Sequence, residues 1–244
     1  MNPFDLITFP DPTALAEGVA ADWLALTAEA GQGAGFQLVA LSGGRIANGF
    51  LAAAATQAKA LGVTFATTQF FWADERCVSP DDPESNYGLV RRHLLGPLAV
   101  PEQHIHRIRG EIPANRAAGE AEERMRRLAA SDEQGQPMLD LVVLGMGEDG
   151  HIASLFPGEP EEVMANPAVY RAVMASKPPP QRITLGYPAL RAARQVWVLV
   201  SGAGKEPALR ESLSVTGATP LARVIRERKR TRILVSQNDS PGSK

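Results

Sequence analysis

The segment Asp140-Leu-Val-Val-Leu-Gly-Met-Gly-Glu-Asp-Gly-His151 passes from an apolar run directly into a glycine-rich polar loop. An apolar run without polar alternation is typical of a strand in a parallel sheet that is covered on both faces. In such sheets, ligands bind beyond the carboxyl ends of the strands. The segment therefore predicts a buried strand, Leu139–Gly145, and a loop at the functional edge of the sheet.

Four further apolar runs predict strands of the same kind. They are Phe36–Leu41, Phe65–Trp72, Gln195–Ser201 and Thr231–Ser236. Helical patterns lie at Thr13–Ala30, Ile46–Leu61, Ser85–Leu95 and Asn115–Ala130. Since strands and helices alternate, we predict an α/β fold: a doubly wound, mainly parallel, Rossmann-like sheet with helices on both faces.

Length and charge limit the classes of protein to which the chain can belong. A chain of 244 residues with 44% hydrophobic content predicts one domain over residues 1–244, with a polar tail, 237–244, that we expect to fray. The formal net charge is −2, from 25 basic and 27 acidic side chains. This balance lacks the basic excess that is typical of nucleic-acid binders.

The cysteine content and the apolar runs predict a location in the cytoplasm. Cys77 is the one cysteine, so no intramolecular disulfide can form, which fits a reducing compartment. The first residues lack a basic region followed by an apolar stretch, so we expect no secretory signal. No apolar run approaches the roughly 18–20 residues that span a bilayer, so we expect no membrane partner.

His151 is the candidate acid–base, because it follows a strand end and an imidazole titrates near neutral pH. Asp149 is the carboxylate best placed to orient it, as the acid of a catalytic triad does. The alternative is that Asp149 turns away and caps the loop. The glycines of the loop can present backbone N–H groups to a developing oxyanion. An isolated histidine would be interpreted as packing against the next helix; this loop favours catalysis.

A second charged segment, Phe71-Trp-Ala-Asp-Glu-Arg76, lies at the end of the predicted strand Phe65–Trp72. Three consecutive charges after a buried strand lie where a cleft is expected. We therefore expect Asp74 and Arg76 in the site, where they orient a polar substrate or each other. The alternative is a surface ion pair, which would contribute little to stability.

Two glycine turns are candidate phosphate sites. Leu41-Ser-Gly-Gly-Arg45 follows a strand and precedes a helix, so its N–H groups attract a phosphate and Arg45 adds a charge. Ser201-Gly-Ala-Gly-Lys205 repeats the arrangement, with Lys205 as a point charge. Each turn alone is equally well interpreted as an ordinary connection between a strand and a helix.

These segments occur together in a known family. Ile105-His-Arg-Ile-Arg-Gly-Glu111 and Lys177-Pro-Pro-Pro-Gln-Arg-Ile-Thr184 complete the set. From about Phe36 to Val235 the chain resembles the 6-phosphogluconolactonases. The block Asp149-Gly-His-Ile-Ala-Ser-Leu-Phe-Pro157 is the most specific part of the resemblance.

The resemblance implies the fold shared by these lactonases and the glucosamine-6-phosphate deaminases. It also implies hydrolysis of 6-phospho-D-glucono-1,5-lactone to 6-phosphogluconate in the pentose phosphate pathway. The expected partner is this small sugar-phosphate lactone, with no metal and no organic cofactor, in a monomer or weak homo-oligomer. The expected catalytic residues are His151, Asp149, Arg76 and Asp74. The expected phosphate-binding residues are Gly43, Gly44, Arg45, Arg182 and Lys205.

Two alternatives belong to other functional classes. The deaminases share the Asp-Gly-His segment, but they continue with Asn-Glu-Pro, where the glutamate acts in ring opening. This chain has Leu155-Phe156-Pro157, and a phenylalanine cannot relay a proton, which favours the lactonase. The second alternative is a non-catalytic sugar-phosphate-binding protein on the same scaffold. One departure from the family pattern is Arg45-Ile46-Ala47, where many members carry Ser/Thr-Thr-Pro.

Overall fold

The computed structural model describes residues 3–33 and 35–237. Residues 238–244, most of the tail for which the sequence predicts fraying, lie outside the described residues. The strands of the main sheet are β1 (Phe4–Phe9), β2 (Gln37–Leu41), β3 (Thr68–Trp72), β5 (Leu141–Gly145), β8 (Gln195–Val200) and β9 (Thr231–Ser236). The strands of a smaller sheet are β4 (Asp74–Arg76), β6 (Tyr170–Met174) and β7 (Gln181–Leu185).

The helices lie between these strands. They are α1 (Pro12–Ala30), α2 (Arg45–Leu61), α3 (Asn86–Val90), α4 (Ala114–Leu128), α5 (Glu161–Met164), α6 (Tyr187–Ala192), α7 (Glu206–Leu213) and α8 (Pro220–Glu227). A π-helical turn, Arg91–Leu95, continues α3, so the single helix predicted at Ser85–Leu95 is divided in two. None of the helices in the described ranges is both long and apolar enough to cross a membrane.

The main sheet has the order β1-β9-β8-β5-β2-β3, and every neighbouring pair in it is parallel. This arrangement confirms the predicted α/β fold. Strands β1 to β3 advance towards one edge, whereas β5, β8 and β9 step back towards the other. Right-handed crossovers then place α1 and α2, which pack on each other, on one face, where α3 and its π-helical turn also contact α2. The helices that follow β5 and β8 lie on the opposite face.

The strand order reverses between β2 and β5, which are neighbours in the sheet. The loops that follow these two strands therefore leave towards opposite faces and open a crevice at the carboxyl edge. The glycine turn after β2 and the loop that carries His151 after β5 form the two sides of this crevice. The sequence prediction that the functional loops share one edge agrees with this topology.

The sequence analysis missed strand β1. Its residues, Phe-Asp-Leu-Ile-Thr-Phe, mix apolar and polar side chains, because β1 is an edge strand with partly exposed faces. Continuous apolar runs identify strands covered on both faces, such as β2 and β3. Strand β1 lacks that signal because its side chains are partly exposed, whereas β3, at the opposite edge, is buried throughout.

The antiparallel sheet β4-β7-β6 was also missed, and it continues the main sheet through one residue, Ala73. The amide of Ala73 donates to Leu41 O in β2 at 2.8 Å, and its carbonyl accepts from Leu185 N at the end of β7 at 2.8 Å. In addition, the buried hydroxyl of Tyr170 donates to Trp72 O at 2.6 Å. The two sheets are thus joined by backbone and by side chain.

Replacement of Tyr170 by Phe tests this junction. The variant leaves the buried Trp72 carbonyl without its donor, so the free energy of unfolding should fall by about 1–3 kcal/mol in urea titrations. Tyr187→Phe is the matched control, because the buried Tyr187 hydroxyl has no hydrogen-bond partner among the described residues. Equal losses of stability in the two variants would contradict a specific role for the Tyr170 hydrogen bond.

Candidate active site

His151 and Asp149 form a hydrogen-bonded pair at the carboxyl edge of the sheet. His151 Nδ1 lies 2.5 Å from Asp149 Oδ1, and the same oxygen accepts from the His151 amide at 3.2 Å. The His151 side chain is 25% exposed, so it is both held and accessible. Burial acts to raise the pKa of Asp149, but the charge of His151 and its hydrogen bonds outweigh this effect and lower the pKa below its usual range. Asp149 therefore remains a carboxylate beside the imidazole.

The loop around this pair requires glycine at two positions. A Cβ on Gly147 would lie 2.1 Å from His151 Nδ1 and 2.7 Å from Asp149 Oδ1, so any side chain there would displace the pair. Gly150 has φ +79°, in the left-handed region, and a Cβ there would lie 2.7 Å from Thr219 Cγ2. The glycines thus allow the His–Asp contact to form.

The amides of this loop donate within the loop. Gly147 N donates to His151 O at 2.8 Å, and Gly150 N donates to Gly147 O at 3.1 Å. The His151 amide is taken by Asp149. The expectation that the loop's glycine amides receive an oxyanion therefore needs correction, because the amides of Gly147 and Gly150 already have acceptors. Side chains nearby are a second source of positive charge for an oxyanion.

Phe156 and Arg182 lie next to the imidazole. The rings of His151 and Phe156 are 5.1 Å apart between centroids, and Arg182 Cζ lies 5.8 Å from the centroid of Phe156. Arg182 is buried, and it donates to Pro179 O at 3.0 Å and to Lys177 O at 3.3 Å, so it also braces the proline-rich loop. Phe156 thus separates the imidazole from a guanidinium.

Arg76 and Arg182 are paired across the small sheet, on β4 and β7. Arg76 Nη1 donates to the carbonyl and the carboxylate of Glu84, at 2.9 and 3.1 Å. Burial and then the charge of Arg76 lower the pKa of Arg182. Two neighbouring guanidiniums create a local positive field, which an anion or a developing negative charge relieves.

Asp74 lies beneath the crevice, where it is 2% exposed. Oδ1 accepts from Ser42 Oγ at 2.7 Å, and Oδ2 accepts from Ser154 Oγ at 2.8 Å. Asn86 Nδ2 donates to Asp74 O at 2.8 Å and to Oδ1 at 3.2 Å. Asp74, expected among the catalytic residues, is therefore placed as a positioning residue, because its carboxylate is already bound by protein hydroxyls and faces away from solvent.

Glu75, which the sequence analysis did not single out, is equally buried and holds the start of α3. Its carboxylate accepts from the amides of Asn86 and Tyr87, each at 2.8 Å, and from Ser85 Oγ at 3.2 Å. Burial raises the pKa of Glu75 to about 7, although these amides act in the opposite direction. Ser85 in turn accepts from Gly88 N at 3.0 Å and is the N-cap of α3.

The turn after β2 leads into the start of α2. Gly44 precedes the helix with φ +106° and has open space around the position of a Cβ, and no side chain caps this helix start. Gly43 is buried against Asn86, since a Cβ there would lie 1.9 Å from Asn86 Oδ1. The N–H groups of a long helix, preceded by a glycine open to solvent, are suited to an anion.

The turn after β8 lies beside this helix start. A Cβ on Gly202 would lie 3.6 Å from Arg45 Nη2 and 3.9 Å from Lys205 Cε. Arg45, Lys205 and the open Gly44 therefore form one positively charged end of the crevice. Arg182, predicted to bind phosphate together with these residues, lies opposite Arg76 in the register of β4 and β7. Its guanidinium lies over the ring of Phe156, which neighbours His151.

Several residues that shape the site were missed by the sequence analysis. They are Ser42, Glu75, Ser154 and Thr184, all in contact with the predicted residues. Each of them lies within three positions of a predicted site residue. This proximity in sequence was the only feature that could have identified them as residues of the site. What the sequence did not contain was the direction in which each side chain points.

A parallel α/β sheet with a His–Asp pair and cationic glycine turns at its carboxyl edge defines an enzyme-like site suited to an anionic ligand. The family model of glucosamine-6-phosphate isomerases and 6-phosphogluconolactonases matches residues 10–234. The chain belongs to this family.

Individual relatives agree with the family match. The chain is 34% identical over 218 residues to the 6-phosphogluconolactonase of Mycobacterium tuberculosis, covering 88% of this chain and 87% of that protein. The solved structure of 6-phosphogluconolactonase from Trypanosoma brucei matches with a TM-score of 0.84 at 26% identity, over 97% of this chain and 96% of that one. A monomeric glucosamine-6-phosphate deaminase matches with a TM-score of 0.81 at 16% identity, over 96% and 98% of the two chains, and so shares the fold.

Substitution of Gly147 by Ala tests the role of the glycine loop. The added methyl group has to displace the His151 ring or the Asp149 carboxylate, so turnover of the substrate should fall by about a hundredfold while the fold is retained. Gly119→Ala is the control, since a Cβ in the middle of α4 meets nothing within 4 Å. Steady-state kinetics with circular dichroism would measure both effects. Unchanged turnover in Gly147→Ala would contradict the assigned geometry.

Proposed function

We propose that this chain hydrolyses 6-phospho-D-glucono-1,5-lactone to 6-phosphogluconate, a step of the pentose phosphate pathway. The observation that carries the proposal is the His151–Asp149 pair, accessible at one end of a crevice whose other end is cationic. Family membership supports it, as does the activity for which relatives that span most of the chain are named. We also propose that residues 1–244 act as one domain in the cytoplasm, where the single cysteine, Cys77, stays reduced.

His151 serves as the general base. Because Nδ1 is held by the Asp149 carboxylate, Nε2 is the nitrogen left to take a proton from water. As that proton leaves, the water oxygen forms a bond to the lactone carbonyl carbon and an electron pair moves to the carbonyl oxygen. Asp149 stabilises the imidazolium that results, which is the function of the acid in a triad.

The oxyanion then collapses. The carbonyl is restored, the bond between the carbonyl carbon and the ring oxygen breaks, and the imidazolium returns its proton to that oxygen. Arg76 and Arg182 supply the positive field for the oxyanion, since the loop amides of Gly147 and Gly150 are already used. The reaction needs only water, so no metal or organic cofactor enters the scheme.

The phosphate of the substrate binds at the other end of the crevice. Gly43 and Gly44 bring the backbone of the α2 start close to it, and Arg45 and Lys205 add charge. This end is remote from the reacting carbonyl, so it serves mainly to fix the orientation of the lactone. Division of the crevice into a cationic end and a His–Asp end matches a substrate that carries its phosphate far from its carbonyl.

Replacement of His151 by Ala tests the chemical step. Removal of a positioned general base should lower kcat by about 10²–10⁴-fold, in an assay corrected for spontaneous hydrolysis of the lactone. His93→Ala, in the π-helical turn, is the control histidine and should keep its turnover. The same samples are assayed for ammonia release from glucosamine 6-phosphate. Near-normal lactonase activity in His151→Ala, or ammonia release by the wild type, would contradict the proposed function.

Replacement of Lys205 by Ala tests the phosphate end. Loss of one charge-assisted hydrogen bond should raise KM roughly tenfold or more with little change in kcat. Lys59→Ala, an exposed lysine in the last turn of α2, should leave both constants unchanged. A Lys205 variant with normal KM and abolished kcat would show that the phosphate lies elsewhere.

A further inference from the structure

Glu148 is a carboxylate of the catalytic loop that the proposed chemistry does not use. It directly precedes Asp149, and its Oε1 lies 3.8 Å from Arg45 Nη2. Its side chain also lies against the turn after β8, since a Cβ on Gly204 would be 3.5 Å from Glu148 Cδ and 3.8 Å from Oε2. Three loops, those after β2, β5 and β8, therefore meet at this carboxylate.

The position of Glu148 coincides with the cationic end of the crevice. The start of α2 has no side-chain cap, whereas Asp11 caps α1 and Thr219 caps α8. Arg45 and the glycine turn that carries Lys205 complete this end. In the structure, an anionic side chain thus lies against the groups to which we assign the substrate's phosphate.

Stability does not account for this contact. The Arg45 and Glu148 side chains are 81% and 57% exposed, and exposed pairs of this kind contribute little to folding. A carboxylate in this position does, however, neutralise Arg45 and repel an incoming anion. The Glu148 carboxylate therefore determines how much negative charge a ligand needs in order to bind at Arg45.

We propose that Glu148 is a specificity-determining residue of the phosphate subsite. Its carboxylate lies against Arg45, where we assign the phosphate, and a dianionic phosphomonoester displaces it from Arg45. Ligands without that charge, such as the unphosphorylated lactone, do not displace it and bind more weakly. This inference rests on the proposed function only in the location of the phosphate.

Calorimetric titration with inorganic phosphate tests the proposal without any lactone. Glu148→Gln should bind phosphate about three- to tenfold more tightly than the wild type at low salt, because a repelling charge is removed. The gain should shrink at high ionic strength, where exposed charges are screened. Glu102→Gln, which removes an exposed glutamate from the 3-10 turn Glu102–His104, controls for net charge and should leave the affinity unchanged.

The same titration in an Arg45→Gln background tests the displacement. The gain from Glu148→Gln should be smaller there, because no contact with Arg45 has to be broken. An unchanged or lower phosphate affinity in Glu148→Gln, with Glu148→Ala behaving alike, overturns the proposal. So does a gain of equal size in the two backgrounds.

The outcomes separate this inference from the proposed function. If the chain has no lactonase activity but its phosphate affinity still rises in Glu148→Gln, the proposed function is rejected and the role of Glu148 is supported. If the chain is an active lactonase whose phosphate affinity is the same with and without the Glu148 carboxylate, the proposed function stands and the role of Glu148 is rejected.

Discussion

The carboxylate of Asp74 accepts hydrogen bonds from Ser42 and Ser154, and through them it joins the loops that leave β2 and β5 towards opposite faces of the sheet. A buried carboxylate costs several kcal/mol unless it is hydrogen-bonded or paired. Here both oxygens are satisfied, and Asn86 adds a third donor from α3. The crevice keeps its width because this one group cannot release either loop without leaving a charge unsatisfied.

The two sheets contribute different parts of the site. The parallel sheet brings the glycine turns and the His151 loop to one edge, where helix starts and backbone provide for an anion. The small antiparallel sheet contributes side chains instead, with Arg76 opposite Arg182. The His151–Asp149 pair thus lies on a loop, whereas Arg76 and Arg182 lie on strands of the small sheet.

The sequence predicted the parallel sheet because its inner strands are continuous apolar runs, and it predicted the loops because they follow those runs. It missed β1 and the small sheet, because β1 and β7 mix polar and apolar residues and β4 consists of three charged residues. The His151–Asp149 contact was one of two alternatives, and the geometry selects it. The burial of Asp74 and the position of Arg182 depend on strand register and side-chain direction, which one sequence without contacts does not contain.

Ala73 belongs to both sheets, since its amide donates to β2 and its carbonyl accepts from Leu185 at the end of β7. With no linker between them, the sheets have no hinge about which one could rotate against the other. The site is therefore preorganised, and capture of a ligand needs side-chain movement rather than closure of domains. An enzyme built in this way would show substrate association in a single fast kinetic phase, without the slow isomerisation that lids and hinges impose.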